Sequence, residues 1–348
     1  MIPWYLWVFR PKKNHKAITF YFLSRRYGTS PRFFPLFNEF NLTQIILFRG
    51  SRFVGVDRIY LKFIPIFIII FKKRLAAYEN FITFNSSTNC AVATNTILNI
   101  DDPSYSSEEL KQLQLWENKI FSFGYESIFV CTSEYMKAYF ESHALKSRIV
   151  VIPQGHGNRF PISTGNNGGS DALDFVYISP TIDAKGDRHE NHKMWDASTL
   201  LFEIWPKVTD PKARLHLIGK LGENACSILE DSRVISYGLM SIEDCSTILP
   251  QFHVALYPRV HDNGWMPQKL IEYLGAGLPV IAFEMIDTQI VAELGIGTLV
   301  SSVEDFALTM AEYVINPDIS NNQKAMCSKF AENYSWKSLA KRFENIYL

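Results

Sequence analysis

One pattern constrains this sequence more than any other. Short runs of β-branched and aromatic residues alternate with helix-like stretches, stop at a break rich in glycine and asparagine, and then start again. In the first half the runs fall at 17–23, 44–48, 80–84, 94–100, 127–131 and 148–152, with helical patterns at 107–119 and 133–142. Runs of that length read as buried strands, and strands separated by helices argue for a parallel sheet covered on both faces. The break is Ser163-Thr164-Gly165-Asn166-Asn167-Gly168-Gly169-Ser170, a composition suited to a flexible linker. Beyond it, strands are expected at 174–179, 213–218, 234–236, 253–257 and 280–283, and helices at 197–205, 242–249, 267–274 and 303–314. The pattern predicts an α/β chain of two Rossmann-like domains facing across a cleft, residues 1–162 and 163–335. A terminal helix, 336–348, is expected to pack back on the first domain. At 348 residues the chain has room for both. Doubly wound sheets bind ligands beyond the carboxyl ends of their strands, so the site is expected there.

The formal charge is zero, but its distribution is not even. Residues 1–75 hold 14 Lys and Arg against Glu39 and Asp57, which leaves 21 basic and 33 acidic residues in the remainder. A basic start suits an anionic surface or ligand. No nucleic-acid motif accompanies it, so nucleic acid is not expected as a partner. The five cysteines are scattered, without a CxxC pair or finger spacing, which fits a reducing compartment and no disulfides. The longest apolar stretch, 59–71, has 13 residues with Lys62 and Pro65 inside it, short of the roughly 20 that span a bilayer. Together with Trp4, Tyr5, Trp7, Phe9 and Lys72-Lys73-Arg74 it is read as resting on an anionic membrane, with a buried core segment as the alternative. A cytoplasmic protein, peripheral on the inner face of a membrane, is the expectation. No GxGxxG follows an early strand, which disfavours a Rossmann dehydrogenase.

The most informative stretch runs from His253 to Ile281. A strand ends in the polar loop Asp262-Asn263-Gly264-Trp265-Met266, and a helix opens with Pro267 in its first turn, where a missing N–H costs nothing. Such a helix start binds phosphate through backbone donors and the positive end of the helix dipole, and Gln268 and Lys269 add side-chain donors. Glu272, a turn further in, would repel phosphate but accept hydrogen bonds from a vicinal diol such as a ribose. Phosphate and sugar together suggest a nucleotide. The alternative is a capped core helix with a solvated Glu272.

At Pro267-Gln268-Lys269-Leu270-Ile271-Glu272-Tyr273-Leu274-Gly275-Ala276-Gly277-Leu278-Pro279 the sequence resembles the GT-B glycosyltransferases, and among them retaining family 4. The resemblance implies transfer of a sugar from a nucleotide diphosphate sugar to a saccharide or lipid-linked acceptor, with Glu272 on the donor ribose and no metal or other cofactor. Where the family often carries another glutamate, eight residues earlier, this sequence has Gly264. Val130-Cys131-Thr132-Ser133-Glu134 and the segment 151–157 resemble the family's approach to the interdomain crossing.

The same resemblance assigns Lys185 and Arg188 to the donor diphosphate, where they would stabilise charge on the leaving phosphate; a solvated loop is the plain alternative. Tyr237 and Gly238 follow a strand where relatives hold the nucleotide base, although an ordinary turn would look the same. Asp101 and Asp102 are acceptor-side candidates, as a general base in an inverting enzyme or as caps of the next helix. His156, between Gly155 and Gly157, is a cleft candidate or a turn histidine. His189 and His192 lack a third ligand and are read as surface residues. A sugar-nucleotide epimerase of the same fold and an inactive glycosyltransferase-like partner are the rival readings.

Overall fold

The computed structural model describes residues 17–23, 43–49, 80–84, 96–100, 114, 117–118, 127–143, 145–156, 172–183, 196–260 and 267–346. The chain divides into two compact units, Met1–Pro153 with Trp336–Leu348, and Gln154–Ser335. The change of unit thus falls directly after the sixth strand, ahead of the glycine-rich stretch at 163–170, which lies outside the described residues. The reason is local: the His156 N–H donates to the Tyr334 carbonyl (3.0 Å), which ties 154–156 into the second unit.

The first unit holds six parallel strands, β1 (Ala17–Leu23), β2 (Thr43–Arg49), β3 (Asn80–Phe84), β4 (Thr96–Ile100), β5 (Ser127–Cys131) and β6 (Arg148–Val151). Their spatial order is β2-β1-β3-β4-β5-β6. Helix α1 (Glu134–Ser142) starts where the Ser133 hydroxyl accepts the Met136 N–H, and it buries Met136 and Phe140. The last helix, Trp336–Asn345, buries Trp336, Leu339, Ala340 and Phe343, the i, i+3, i+4, i+7 stripe of an amphipathic helix.

In the second unit, β7 (Leu173–Ile182), β8 (Ala213–Leu221), β9 (Val234–Gly238), β10 (Val254–Tyr257), β11 (Val280–Phe283) and β12 (Gly297–Val300) are also all parallel. They are ordered β12-β11-β10-β7-β8-β9. Counted from β9 within this unit, that is the Rossmann order 3-2-1-4-5-6, with the topological switch between β7 and β10. Alternating residues of each strand enter different cores. Leu173, Phe175 and Tyr177 join one core. Val176, Ala255, Tyr257, Val280 and Ala282 join the other. Helix α2 begins at Asp196–Ser198 and continues as a wider turn through Thr199–Ile204, burying Leu200, Leu201 and Ile204. Helices α3 (Ile242–Ile248), α4 (Gln268–Gly275), α5 (Gln289–Glu293), α6 (Val303–Ile315) and α7 (Asp318–Tyr334) follow.

Three of these elements carry no sequence signal of their own kind. Strand β12 has four residues and begins with a glycine, and α5 has five. Helix α7 contains Asn321-Asn322, which favour helices weakly, and it is held by packing through Ser320, Cys327 and Phe330.

A polar network occupies the amino-terminal edge of the second sheet. Asp174, second residue of β7, receives hydrogen bonds from Arg214 Nε (2.6 Å) and His216 Nε2 (2.9 Å), both from β8. Its own amide N–H donates to His253 Nδ1, just before β10 (3.0 Å). Burial works to raise the Asp174 carboxyl, but the hydrogen-bonded His216, the neighbouring His253 and Arg214 outweigh it and hold that group far below the usual carboxylate range. A depressed native value stabilises the fold above the unfolded-state value near 3.9 and loses that contribution as pH falls further. Asp174→Asn should therefore cost about 3 kcal/mol in urea unfolding at pH 7, a deficit that shrinks as pH falls below about 4.

Candidate functional site

The carboxyl ends of β7 and β10 flank the switch point, and α4 starts just past β10. Leu270, Ile271, Tyr273 and Leu274 of α4 are fully buried, whereas Lys269 and Glu272, three residues apart and so on one face, stay half-buried. Pro267 precedes the helix in an extended conformation and offers no side-chain cap, so its amino end presents backbone donors of the kind that bind anions. The other end closes tightly. Gly277 takes φ 77° while its N–H donates to Leu274 O and the Leu278 N–H to Tyr273 O, the paired bonds of a Schellman cap.

Two tyrosines seat α4 at the switch point. The Tyr273 hydroxyl accepts the Ile178 N–H from β7 (2.7 Å). Lys269 Nζ lies 4.4 Å from the centre of the Tyr177 ring and 3.4 Å from its hydroxyl. Tyr177 packs in the core on one face of the sheet, and α4 packs in the core on the other. Lys269 therefore reaches across the carboxyl edge of the strands, placing a cation at the crevice where α/β sheets bind ligands. In α3, burial and then the negative charges of Glu272 and Asp244 push the Cys245 thiol up, so the Glu272 carboxylate lies within electrostatic reach of α3.

Further along the same edge, Arg259, two residues after β10, is buried and donates from Nη1 to the Tyr257 hydroxyl (2.9 Å). The same nitrogen lies 3.7 Å from Asp287 Oδ2, which follows β11. This pair joins the segment after β10 to the segment after β11. Nothing in the spacing of Arg259 and Asp287 announced it, because they are 28 positions apart. Tyr177 and Tyr273 were equally hidden, each reading as an ordinary core aromatic.

Tyr237 sits at the end of β9, half-exposed, but its hydroxyl lies 3.0 Å from His216 Nδ1 and its ring stacks on the His216 ring at 5.8 Å. It thus touches the amino-edge network. Gly238 adopts φ 70°, with open space where a Cβ would be. His156 is buried rather than in an open turn. Gln268 is the first residue of α4. Gly264, Lys185, Arg188, Asp101 and Asp102 lie outside the described residues, as do His189, His192 and the apolar stretch 59–71. Among the described residues no group of three or more His, Cys, Asp or Glu is arranged to hold a metal ion, and no helix is long and apolar enough to cross a membrane.

The fold class is that of the GT-B glycosyltransferases, an α/β chain of two Rossmann-like units. Sucrose-phosphate synthase from Thermosynechococcus elongatus aligns over 96% of this chain and 98% of its own, with a TM-score of 0.63 at 14% identity. HepE from Anabaena, in complex with UDP-glucose, aligns over 95% and 99%, with a TM-score of 0.64 at 13% identity. The UDP-GlcNAc 2-epimerase of Methanocaldococcus jannaschii aligns over 95% and 99%, with a TM-score of 0.54 at 9% identity. Residues 188–316, which include α4, match the family model described as glycosyl transferases group 1, and this match indicates a transferase. No curated protein matches the sequence.

The seating of α4 is testable. Tyr273→Phe leaves the partly buried Ile178 N–H without this acceptor, and a loss of about 1 kcal/mol in urea unfolding is expected. An unchanged midpoint would show that this bond does not anchor the helix.

Proposed function

We propose that this protein is a glycosyltransferase that moves a sugar, with retention, from a nucleotide diphosphate sugar to a saccharide or lipid-linked acceptor. The observation that carries the reading is the position of Lys269 at the β7–β10 crevice, beside the amino end of α4 and one turn before Glu272. The donor diphosphate lies against that helix end, where dipole, backbone donors and the Lys269 ammonium stabilise the charge left when the glycosidic bond to phosphate breaks. Glu272 accepts hydrogen bonds from the ribose hydroxyls and so fixes the distance between base and diphosphate. Gln268, as the first helical residue, adds its backbone N–H to the phosphate contacts. Lys185 and Arg188 supply further positive charge, Gly264 is a donor-side position, and Tyr237 with Gly238 borders the base.

The first unit takes the acceptor, with Asp101 and Asp102 on the acceptor side. Its net charge of +12 over residues 1–75 suits an anionic membrane carrying a lipid-linked acceptor. A second reading, a sugar-nucleotide epimerase, is favoured by the fold shared with a UDP-GlcNAc 2-epimerase. An epimerase converts donor with no acceptor present, so acceptor dependence separates the two.

A screen of UDP, GDP, ADP and TDP by thermal unfolding should show one of them raising the midpoint by about 5 °C at saturating concentration. Glu272→Ala should abolish most of that shift and lower transfer roughly 100-fold, the equivalent of about 3 kcal/mol of charge-assisted hydrogen bonding. Full activity in that variant would overturn the ribose assignment.

A further inference from the structure

His156 occupies an unusual place. The chain enters the second unit at Gln154 and leaves it after Ser335, and these two passages lie side by side. His156 forms a parallel bridge with Ser335, and its N–H donates to Tyr334 O (3.0 Å). Its Nε2–H donates to Ala331 O of α7 (2.7 Å). The other face of the residue meets the last residue of α4. A Cβ placed on Gly275 would lie 2.7 Å from His156 Cβ and 2.8 Å from Nδ1, closer than real side chains approach.

Gly275 is not among the glycines with positive φ. Its backbone therefore does not require glycine, and within a helix glycine is the poorer choice by about 1 kcal/mol relative to alanine. The space taken by His156 is the remaining physical reason for a glycine there. The imidazole is thus wedged between the carboxyl ends of α4 and α7, while the amino end of α4, about 12 Å away along a rigid helix, faces the crevice.

We propose that His156 is a positioning residue that sets the seat of α4, and through it the donor phosphates, from the point where the chain passes between units. The inference rests on the donor-site reading above for its ligand, but not for its geometry. Packed interiors transmit such displacements because they hold no slack, and misplacing a binding group by about 1 Å costs up to roughly 100-fold.

The test is a double-mutant cycle on the full chain, read by amide hydrogen exchange of the segment 267–279 and by calorimetric binding of UDP, GDP, ADP and TDP. Gly275→Ala is expected to speed exchange at least tenfold and to weaken nucleotide binding at least tenfold. In a His156→Gly background, which removes the Cβ 2.7 Å from the added methyl as well as the ring, the same substitution should change neither by more than threefold. Equal effects in both backgrounds, or no effect in either, would overturn the proposal. Should Gly275→Ala alone fail to fold, recovery of folding by His156→Gly supports it and failure to recover overturns it. A wild-type chain that binds none of the four would sink the donor reading, and the exchange cycle would still decide the role of His156.

Discussion

The account depends on how one short helix is fastened to one strand. Helix α4 has only eight residues, too few to be stable alone, so its position is set by what it packs against. Four buried side chains press it onto the sheet, and the bond from the Ile178 amide to the Tyr273 hydroxyl fixes where along β7 it rests. That anchor places Lys269 over Tyr177 and leaves the amino end of the helix at the switch point. The Schellman cap at Gly277 and the contact between Gly275 and His156 secure the other end.

The two edges of the second sheet are used differently. At the amino edge, Asp174 is surrounded by Arg214, His216 and His253, so that its charge is satisfied within the protein. At the carboxyl edge, Lys269 stands in the first turn of α4 with Glu272 one turn further in, and Arg259 after β10 is matched by Asp287. In the proposed donor site the anion docks at the second edge, where the start of α4 offers backbone donors. Tyr237, although its strand runs toward the carboxyl edge, spends its hydroxyl on the amino-edge network through His216.

Much of the fold was legible because the physics is local. Short β-branched runs, a helix opened by Pro267 and a glycine-proline stop at 277–279 each carry their own signal, and strands β7, β8, β10 and β11 fall where those signals put them. What escaped the sequence is what depends on distant partners. Helix α7 is polar and contains two asparagines, yet it is held by a buried face that only packing reveals. The change of unit comes at Pro153 because His156 bonds to residues nearly 180 positions away. In the site, Lys269 and Glu272 could be singled out from the helix alone. Tyr177, Tyr273, Arg259 and Asp287 could not, since each gains its role from strand order.

The central claim is that a nucleoside diphosphate docks at the amino end of α4. Amide hydrogen exchange with and without the stabilising nucleotide tests it most directly, because it reports where protection appears without presupposing chemistry. Protection concentrated in 268–272 and at Ile178, with the strand starts around Asp174 and His216 unchanged, is the predicted result. Protection confined to the amino edge or to the first unit would contradict it.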